Sequence, residues 1–551
     1  MSPVCKPPLT SLLSPEGRGW VRGAIIVQTN LYQLIISRLD GEKVSSLPYQ
    51  EKVFELVRKG IAGFILFGGE KEEVKSFIDK LQAISEVPLF IASDIERGVG
   101  QQVKGYTEFP CQMAVRAAIR KDSQKDVSLL HDIIQAIALE AIDVGINMPL
   151  IPVLDVNQRP DNPIICTRAF SDNPEDVSWF GSAYIKVLEG SGLISCAKHF
   201  PGHGDTSIDS HIALPVISKS YKDLMNVDIM PFQEAVKAGV SSIMTGHLLV
   251  PAIDSMPATL SEKMIKGILR DKLGLGFDSL VITDALNMAA LSGIDNLHAK
   301  CLKAGVDVLL HPADADAAVK ELENSLKTKE IDEACIDRAI KRIRKVKSRL
   351  PHIRNDVGER LVPSRLDYHL HKTFSIQVTD ASITLVKGTG MLSITDAHVV
   401  LAGETKFHKL SLWKSHFRNV SNISENSPSP LSSPLLGEEV NKSPLPSGER
   451  DRVRGFPDEV TIIAIFSEIS AWRGSSGIGD KERQKIHELM GRTEKSIIIS
   501  FGSPYILSHF KDADMLIAAY GSSEQVQRAV IKGLKGETEF RGELPVKLNF
   551  N

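Results

Sequence analysis

Short apolar runs rich in β-branched residues alternate with longer segments of helical periodicity from about residue 23 to residue 351. This alternation is typical of βα units around a parallel sheet. Six runs are clear strand candidates, and weaker ones lie near residue 34 and over 145–149. About eight strands predict an α/β fold with a (β/α)8 TIM-type barrel over 24–351. The clear runs are Ile61–Phe67, Leu89–Ala92, Ser195–Ala197, Ser242–Thr245, Leu280–Thr283 and Val306–Leu310.

A second, smaller α/β segment begins at residue 382 and contains five short apolar runs. These runs predict an open parallel sheet in a C-terminal domain over 382–551. Residues 352–381 are predicted to link the two domains. Residues 1–23 and about 422–455 contain many prolines, serines and glycines, and we expect both to be disordered, low-complexity segments.

The composition excludes several classes of protein. Of the 551 residues, 42% are hydrophobic and 24% are charged, as in ordinary soluble globular proteins. No apolar run approaches the roughly 20 residues that span a bilayer, so no membrane insertion is expected. A net charge of −3 provides no broad positive field for nucleic acid. The six cysteines are widely spaced and the N-terminus lacks a secretory pattern, which favours a cytoplasmic protein with reduced thiols.

Charged and polar residues follow the predicted strands at the points where the strands end. In a parallel barrel the carboxyl ends of the strands meet at one face, where active sites are built. These residues are therefore the first candidates for chemistry. They are Asp94-Ile95-Glu96-Arg97, Lys198-His199, His247 and Asp284.

The densest group of such residues is K-H-F-P-G-H-G-D-T at 198–206, followed by D-S-H at 209–211. Imidazoles and carboxylates suit zinc or iron, so His199, His203 and His211 are one candidate metal set. The spacing contains no H-E-x-x-H helix, and the proline and glycines preclude a regular helix. We therefore expect no metal or other cofactor, and a metal-dependent hydrolase stays an alternative.

Asp209 and His211 have the spacing of an acid/base pair. The Asp209 carboxylate can accept a hydrogen bond from one imidazole nitrogen and leave the other facing a substrate. An imidazole with a pKa near 6.5 donates and retrieves a proton at neutral pH. The alternative is a loop histidine that only satisfies the nearby backbone.

Asp284 ends the apolar run V-I-T-D-A-L-N-M, which should project its carboxylate into the barrel mouth. A carboxylate in a cleft, paired with a proton donor, is what glycosyl transfer requires. Asp284 is thus the candidate nucleophile. The alternative is a structural aspartate that caps the following helix.

K-H-F-P-G-H-G-D-T, the downstream D-x-H and V-I-T-D-A-L-N-M resemble glycoside hydrolase family 3, in particular its β-N-acetylglucosaminidase (NagZ-like) branch. The resemblance covers nearly everything except the N-terminal segment and the proline-rich insert. It implies a retaining mechanism in which Asp284 forms a covalent glycosyl intermediate. His211, oriented by Asp209, would act as general acid and then base. Asp94, Lys198, His199 and Arg168 resemble residues that bind the terminal sugar.

The resemblance implies that the enzyme removes a terminal N-acetylglucosamine from a glycan such as a peptidoglycan fragment, without a cofactor. Gln102 stands where many members of this branch have a substrate-binding arginine, which leaves the sugar contacts there open. A β-glucosidase, a β-xylosidase and a phosphorylase use the same scaffold and stay alternatives. A sugar-binding protein without catalysis is the non-enzymatic alternative.

Overall fold

The computed structural model describes residues 31–350, 366–389, 392–423, 460–469 and 477–550. Eight short strands organise the first of these ranges into two parallel sheets. One sheet has five strands in the order β4-β3-β2-β1-β8, and the other has three in the order β5-β6-β7. The strands are β1 (Ile35–Asp40), β2 (Gly63–Phe67), β3 (Phe90–Ser93), β4 (Met148–Pro149), β5 (Cys196–Phe200), β6 (Ser242–Thr245), β7 (Leu280–Thr283) and β8 (Leu309–Leu310).

Isolated parallel bridges connect the two sheets at both sides. Val153, just after β4, pairs with Lys198 of β5, and Ile282 of β7 pairs with Val308, just before β8. The arrangement is an α/β fold with parallel strands. The buried core runs through the strands and the inward faces of the surrounding helices, and β2, β3, β6 and β7 are buried along nearly their whole length.

Helices connect the strands and cover the sheets. The 21-residue helix Gln124–Val144 begins with a cap from Ser123 and ends at Gly145, whose φ of 92° suits a residue without a side chain. Asn173 caps another helix, which begins at Pro174. The helices of at least seven residues in this part are Leu47–Arg58, Lys71–Ile84, Gln112–Ala118, Gln124–Val144, Pro174–Gly190, Met230–Lys237, the π-helix Lys263–Arg270, Leu297–Ala304, Ala315–Lys327 and Glu333–Lys347.

The C-terminal part is built on a six-stranded sheet in the order β11-β10-β12-β13-β14-β9. The expectation of a wholly parallel sheet is wrong, because β9 runs antiparallel to β14 at one edge. The edge strand β11 is polar, so its sequence lacks the apolar run of a buried strand. The strands are β9 (Thr384–Lys387), β10 (His398–Gly403), β11 (Asn419–Asn422), β12 (Val460–Ser467), β13 (Lys495–Gly502) and β14 (Met515–Ala518). Among the described residues after 366, the helices of at least five residues are Tyr368–Ser382, Leu410–Lys414, Asp480–Met490, the 3-10 helix Pro504–Phe510 and Glu524–Lys535.

The segment predicted as a linker contains the helix Tyr368–Ser382. Its inward face is largely polar, so its apolar periodicity is weak; His371, for example, bonds the buried Glu140 at 2.9 Å. The predicted N-terminal segment 1–23 and nearly all of the predicted insert lie outside the described residues. Across the described ranges, no helix has the length and apolarity that a bilayer crossing requires.

Candidate active site

A buried lysine of β5 lies between two carboxylates that follow the end of β3. Lys198 is the third residue of β5, and its Nζ lies 2.6 Å from Asp94 Oδ1 and 2.8 Å from Glu96 Oε1. The Lys198 side chain is 1% exposed, whereas that of Asp94 is 33% exposed. Burial lowers the pKa of Lys198, but the two carboxylates more than offset this and raise it above its usual value. Lys198 therefore stays charged and holds Asp94 at the surface of a cleft.

Glu96 joins Lys198 to Arg168. Its two oxygens accept hydrogen bonds from Arg168 Nη2 at 2.7 Å and Arg168 Nε at 2.9 Å, in the bidentate geometry that arginine favours. Burial would raise the pKa of Glu96, but Arg168 and Lys198 hold it far below its usual range. The sequence includes Glu96 among the residues that follow the strand ends but assigns it no role in the site. The available signal was its place two residues after Asp94 at the same strand end.

His199, the next residue of β5, is held by a second carboxylate that sequence reasoning missed. His199 Nδ1 lies 2.7 Å from Asp155 Oδ2. Asp155 is fully buried and also accepts hydrogen bonds from the backbone N–H groups of His199 and His203, at 3.2 and 2.6 Å. Burial would raise the pKa of Asp155, but the two histidines hold it below its ordinary value. The Asp155 carboxylate therefore fixes the orientation of the His199 ring.

His203 supports the loop that follows β5. Its Nδ1 lies 2.7 Å from Thr206 Oγ1, and its Nε2 lies 3.1 Å from Ser210 Oγ. Burial lowers the pKa of His203 to about 4, so the ring is neutral at pH 7. Both ring nitrogens of His203 are thus engaged by hydroxyl groups.

In the part of the chain that the structure describes, no three His, Cys, Asp or Glu side chains are arranged to hold a metal ion.

Asp209 and His211 are brought together by a tight turn of the same loop. Asp209 Oδ1 lies 2.8 Å from His211 Nδ1 and accepts a hydrogen bond from the His211 backbone N–H at 2.9 Å. The Asp209 side chain is fully buried, whereas 24% of the His211 side chain is exposed. The ring thus has one nitrogen fixed by a carboxylate and the other, Nε2, on its opposite side. This geometry can support proton transfer.

Asp284 directly follows β7 and lies among three histidines. Its Oδ1 accepts a hydrogen bond from the Ala285 backbone N–H at 2.7 Å. Burial would raise the pKa of Asp284, but His199, His247, this backbone N–H and His211 together lower it to about 2. The carboxylate is therefore ionised at neutral pH, as a nucleophile must be.

His247, one of these three rings, is fully buried. Its Nδ1 lies 2.9 Å from Thr259 Oγ1, and its Nε2 donates to the Ala285 carbonyl at 3.2 Å. Burial lowers the pKa of His247. Its place after β6 was the sequence signal for a polar group at this face of the fold.

A cleft of about 520 Å³ connects several of these groups. Asp94, Glu96, Arg168 and His211 line it, together with residues 519–523 of the C-terminal part. Asp284 does not line this cleft. That Asp284 and His211 act on the same glycosidic bond therefore stays a prediction. The effect of His211 on the Asp284 pKa is the observation that favours it.

Gln102 also lines the cleft, at the position that the sequence left open. Its Nε2 donates to the Asp94 carbonyl at 3.1 Å, and its Oε1 accepts from the Gly68 backbone N–H at 3.4 Å. Gln102 thus braces the backbone of Asp94 and joins the end of β3 to the end of β2.

Residues 26–346, more than half of the chain, match the glycosyl hydrolase family 3 N-terminal domain. The chain belongs to glycosyl hydrolase family 3. This enzyme is a glycoside hydrolase, and its substrate is a carbohydrate. It is 28% identical to Beta-hexosaminidase A of Pseudoalteromonas piscicida over 550 residues, covering 89% of this chain and 90% of that protein.

Two solved structures share the fold of this family 3 enzyme. A family 3 β-N-acetylglucosaminidase from Paenibacillus sp. str. FPU-7 aligns over 95% of this chain and 99% of its own, with a TM-score of 0.74 and 24% identity. The beta-glucoside phosphorylase BglX aligns over 97% of both chains, with a TM-score of 0.79 and 23% identity. At these identities the two structures are evidence for the fold alone.

Proposed function

We propose that this family 3 enzyme is a retaining exo-β-N-acetylglucosaminidase with Asp284 as nucleophile and His211 as acid/base. One observation carries the proposal: an imidazole fixed by a buried carboxylate lies at the edge of the cleft and acts electrostatically on an ionised, strand-end aspartate. A nucleophilic carboxylate and a proton donor are the two groups that a retaining glycosidase needs. The dyad supplies the donor without the burial that would keep a carboxylic acid protonated.

In the first step, an Asp284 oxygen attacks the anomeric carbon while the bond from that carbon to the leaving oxygen breaks. His211 donates its Nε2 proton to the leaving oxygen, and the Asp209 carboxylate holds Nδ1–H throughout. The product of this step is a glycosyl ester of Asp284 and a released alcohol. Ionisation of Asp284 supports this role, because a protonated carboxyl group would be a poor nucleophile.

In the second step, His211 accepts a proton at Nε2 from a water molecule. The water oxygen attacks the anomeric carbon, and the bond to Asp284 breaks. The sugar leaves with retained configuration, and both side chains return to their starting protonation. Two displacements at one carbon account for the retention.

We assign the terminal sugar to the site built from the partly exposed Asp94 and Arg168 and the buried Lys198 and His199. Asp94 and Arg168 are partly exposed, so they can bond hydroxyl groups directly, whereas Lys198 and Asp155 orient their neighbours. The name of the hexosaminidase relative favours N-acetylglucosamine as this sugar. A peptidoglycan fragment is our candidate glycan.

The described cysteines are all free thiols, in keeping with a cytoplasmic setting.

We further propose that the eight strands β1–β8 form one (β/α)8 barrel over 24–351, with a separate domain over 382–551. The two isolated bridges between the sheets favour this closure. In such a barrel the ends of β3, β5 and β7 would meet at one face, with Asp94, Lys198 and Asp284 at that face.

A panel of aryl β-glycosides tests the proposed function. We expect turnover of the N-acetylglucosaminide well above that of the glucoside and xyloside. Asp284→Asn should lower kcat/KM by about four powers of ten or more, since an essential nucleophile is lost. Asp295→Asn is the control, because Asp295 is an exposed carboxylate on the segment after β7.

Equal turnover by Asp284→Asn and the wild type would refute the role of Asp284. A higher kcat/KM on the glucoside than on the N-acetylglucosaminide would refute N-acetylglucosamine as the preferred sugar. The reaction is repeated in inorganic phosphate, where formation of a sugar 1-phosphate would indicate a phosphorylase instead.

A further inference from the structure

A buried cluster ties together both ends of the loop that carries Asp209 and His211. Lys219, at the end of this loop, places its Nζ 2.7 Å from Asp228 Oδ2 and 3.4 Å from Asp205 Oδ2. Asp205 lies at the start of the same loop. Lys219 also donates to the Gln158 side chain, which in turn donates to Asp228 Oδ1 at 2.8 Å. One ammonium group therefore bridges the two ends of the loop and a carboxylate beneath it.

The first turn of the loop is pressed against the same carboxylate. Gly202 has a φ of 121°, and a Cβ there would lie 2.8 Å from the Asp228 Cβ. A Cβ on Gly204 would lie 1.7 Å from the Val156 carbonyl oxygen. Both glycines are needed for this close approach. The loop thus rests on Asp228 from its beginning, and Lys219 attaches its end to the same point.

The Lys219–Asp228 pair at the centre of the cluster is largely buried, so the two charges depend on each other. Asp228 is fully buried and the Lys219 side chain is 13% exposed. Burial raises the pKa of Asp228 to about 6, even with Lys219 and Gln158 acting to lower it. Removing one partner of a buried ion pair leaves an uncompensated charge, which strongly disfavours that arrangement. Without Lys219, Asp228 would tend to protonate and the two ends of the loop would lose their common anchor.

Between these anchors lies the stretch that carries the dyad. A bridge between Val216 and Leu249 fixes the chain shortly before Lys219, and His203 fixes it at Ser210. Asp209 and His211 therefore lie on a short span supported from both sides. Any shift of the anchors moves the His211 ring relative to the rest of the cleft.

We propose that Lys219 is a positioning residue for catalysis: through Asp205 and Asp228 it fixes the loop so that His211 reaches the leaving oxygen. This inference rests on the proposed role of His211. Lys219 does not touch the reacting atoms, so its effect passes through proton donation alone. Its loss should slow substrates whose leaving group needs a proton and spare those whose leaving group does not.

The test compares two aryl N-acetyl-β-glucosaminides, one with phenol and one with 2,4-dinitrophenol as leaving group. For Lys219→Met we expect kcat/KM to fall about 10- to 100-fold on the phenyl substrate, a part of the 10²–10⁴ that general acid catalysis contributes. On the dinitrophenyl substrate we expect less than about a threefold loss. Lys219→Arg should recover most of the phenyl activity, because it keeps the charge.

Lys222→Met is the matched control, since Lys222 is an exposed lysine three residues further along. It should leave both substrates unchanged. Asp205→Asn removes only the ion pair between Asp205 and Lys219. If Lys219→Met does not fold, the two substrates are compared in Asp205→Asn instead. His211→Ala is measured in parallel and should show the same leaving-group dependence in stronger form.

Suppose that the loss of kcat/KM in His211→Ala depends on the leaving group. Equal losses on both substrates in the Lys219 and Asp205 variants, or no loss on either substrate, would then overturn the positioning role of Lys219. If His211→Ala itself shows no such dependence, the proposed acid/base role fails, and the inference fails with it. The two failures are therefore separable.

Discussion

Glu96 gives the sharpest prediction, because it joins two cations of the site and is itself 7% exposed. Glu96→Gln keeps the shape of the side chain and removes its charge. Three charged hydrogen bonds depend on this carboxylate, two from Arg168 and one from Lys198. The amide has a single acceptor oxygen, so its NH₂ group must face at least one cationic donor. Lys198 would then keep Asp94 as its one anionic partner within salt-bridge distance among the described residues.

The magnitude follows from this geometry. Breaking a buried pair by removing one partner costs about 3–5 kcal/mol of unfolding free energy. For a chain of this size, whose unfolding entropy is about 1.2 kcal/mol/K, we expect the melting temperature to fall by roughly 3–4 °C. Displacement of Arg168 or Lys198 would also remove a contact with the sugar. A hydrogen bond to a charged group contributes about 1.5–3 kcal/mol, so its loss corresponds to roughly a 10- to 100-fold lower kcat/KM.

The assay combines thermal unfolding with steady-state kinetics at a temperature where the variant is folded. Glu189→Gln is the matched control, because Glu189 is also a largely buried carboxylate. It bonds Ser195, Ser241 and Arg349 at the opposite ends of the strands. We expect Glu189→Gln to lose stability and to keep its kcat/KM within about twofold. Wild-type stability and wild-type kinetics in Glu96→Gln would refute the account of this charge cluster.

Two further changes have defined outcomes. Asp155→Asn should lower kcat/KM about 10- to 100-fold through misorientation of His199, which steady-state kinetics against a wild-type reference would measure; an unchanged value would contradict the role of Asp155. Burial lowers the pKa of Lys347 to about 7 in the folded protein, whereas a lysine in an unfolded chain has a pKa of about 10.4. Between these two pKa values the unfolded state binds more protons than the folded state. The free energy of unfolding should therefore rise as the pH increases from about 7 to about 10. Lys347→Met should flatten this rise in thermal unfolding, and an identical pH dependence in both proteins would exclude the effect.

The sequence predicts the strand positions well where a run is apolar and bounded by polar residues. Ser242–Thr245 and Leu280–Thr283 are strands over the predicted residues. The antiparallel edge strand β9 shows what such a pattern lacks, because the direction of a strand depends on its pairing with β14, about 130 residues away in the sequence. Local periodicity contains no information about that pairing.

The candidate site shows the same division. Asp209 and His211 are two residues apart, so their contact depends on local chain geometry, and the sequence indicates it directly. Glu96 meets Arg168 across 72 residues, and Asp155 meets His199 across 44 residues. These contacts depend on how separate strand ends come together. The sequence includes Glu96 among the residues that follow the strand ends, but no local pattern indicates that its partner is Arg168.

The most direct test of the central claim is covalent trapping of the nucleophile. The enzyme is incubated with the 5-fluoro derivative of N-acetyl-β-glucosaminyl fluoride, digested, and its peptides are mapped by mass spectrometry. We predict one fluorosugar on the peptide that contains Asp284, attached through its carboxylate. Attachment to another residue, or inactivation that leaves the Asp284 peptide unlabelled, would contradict the claim that Asp284 attacks the anomeric carbon.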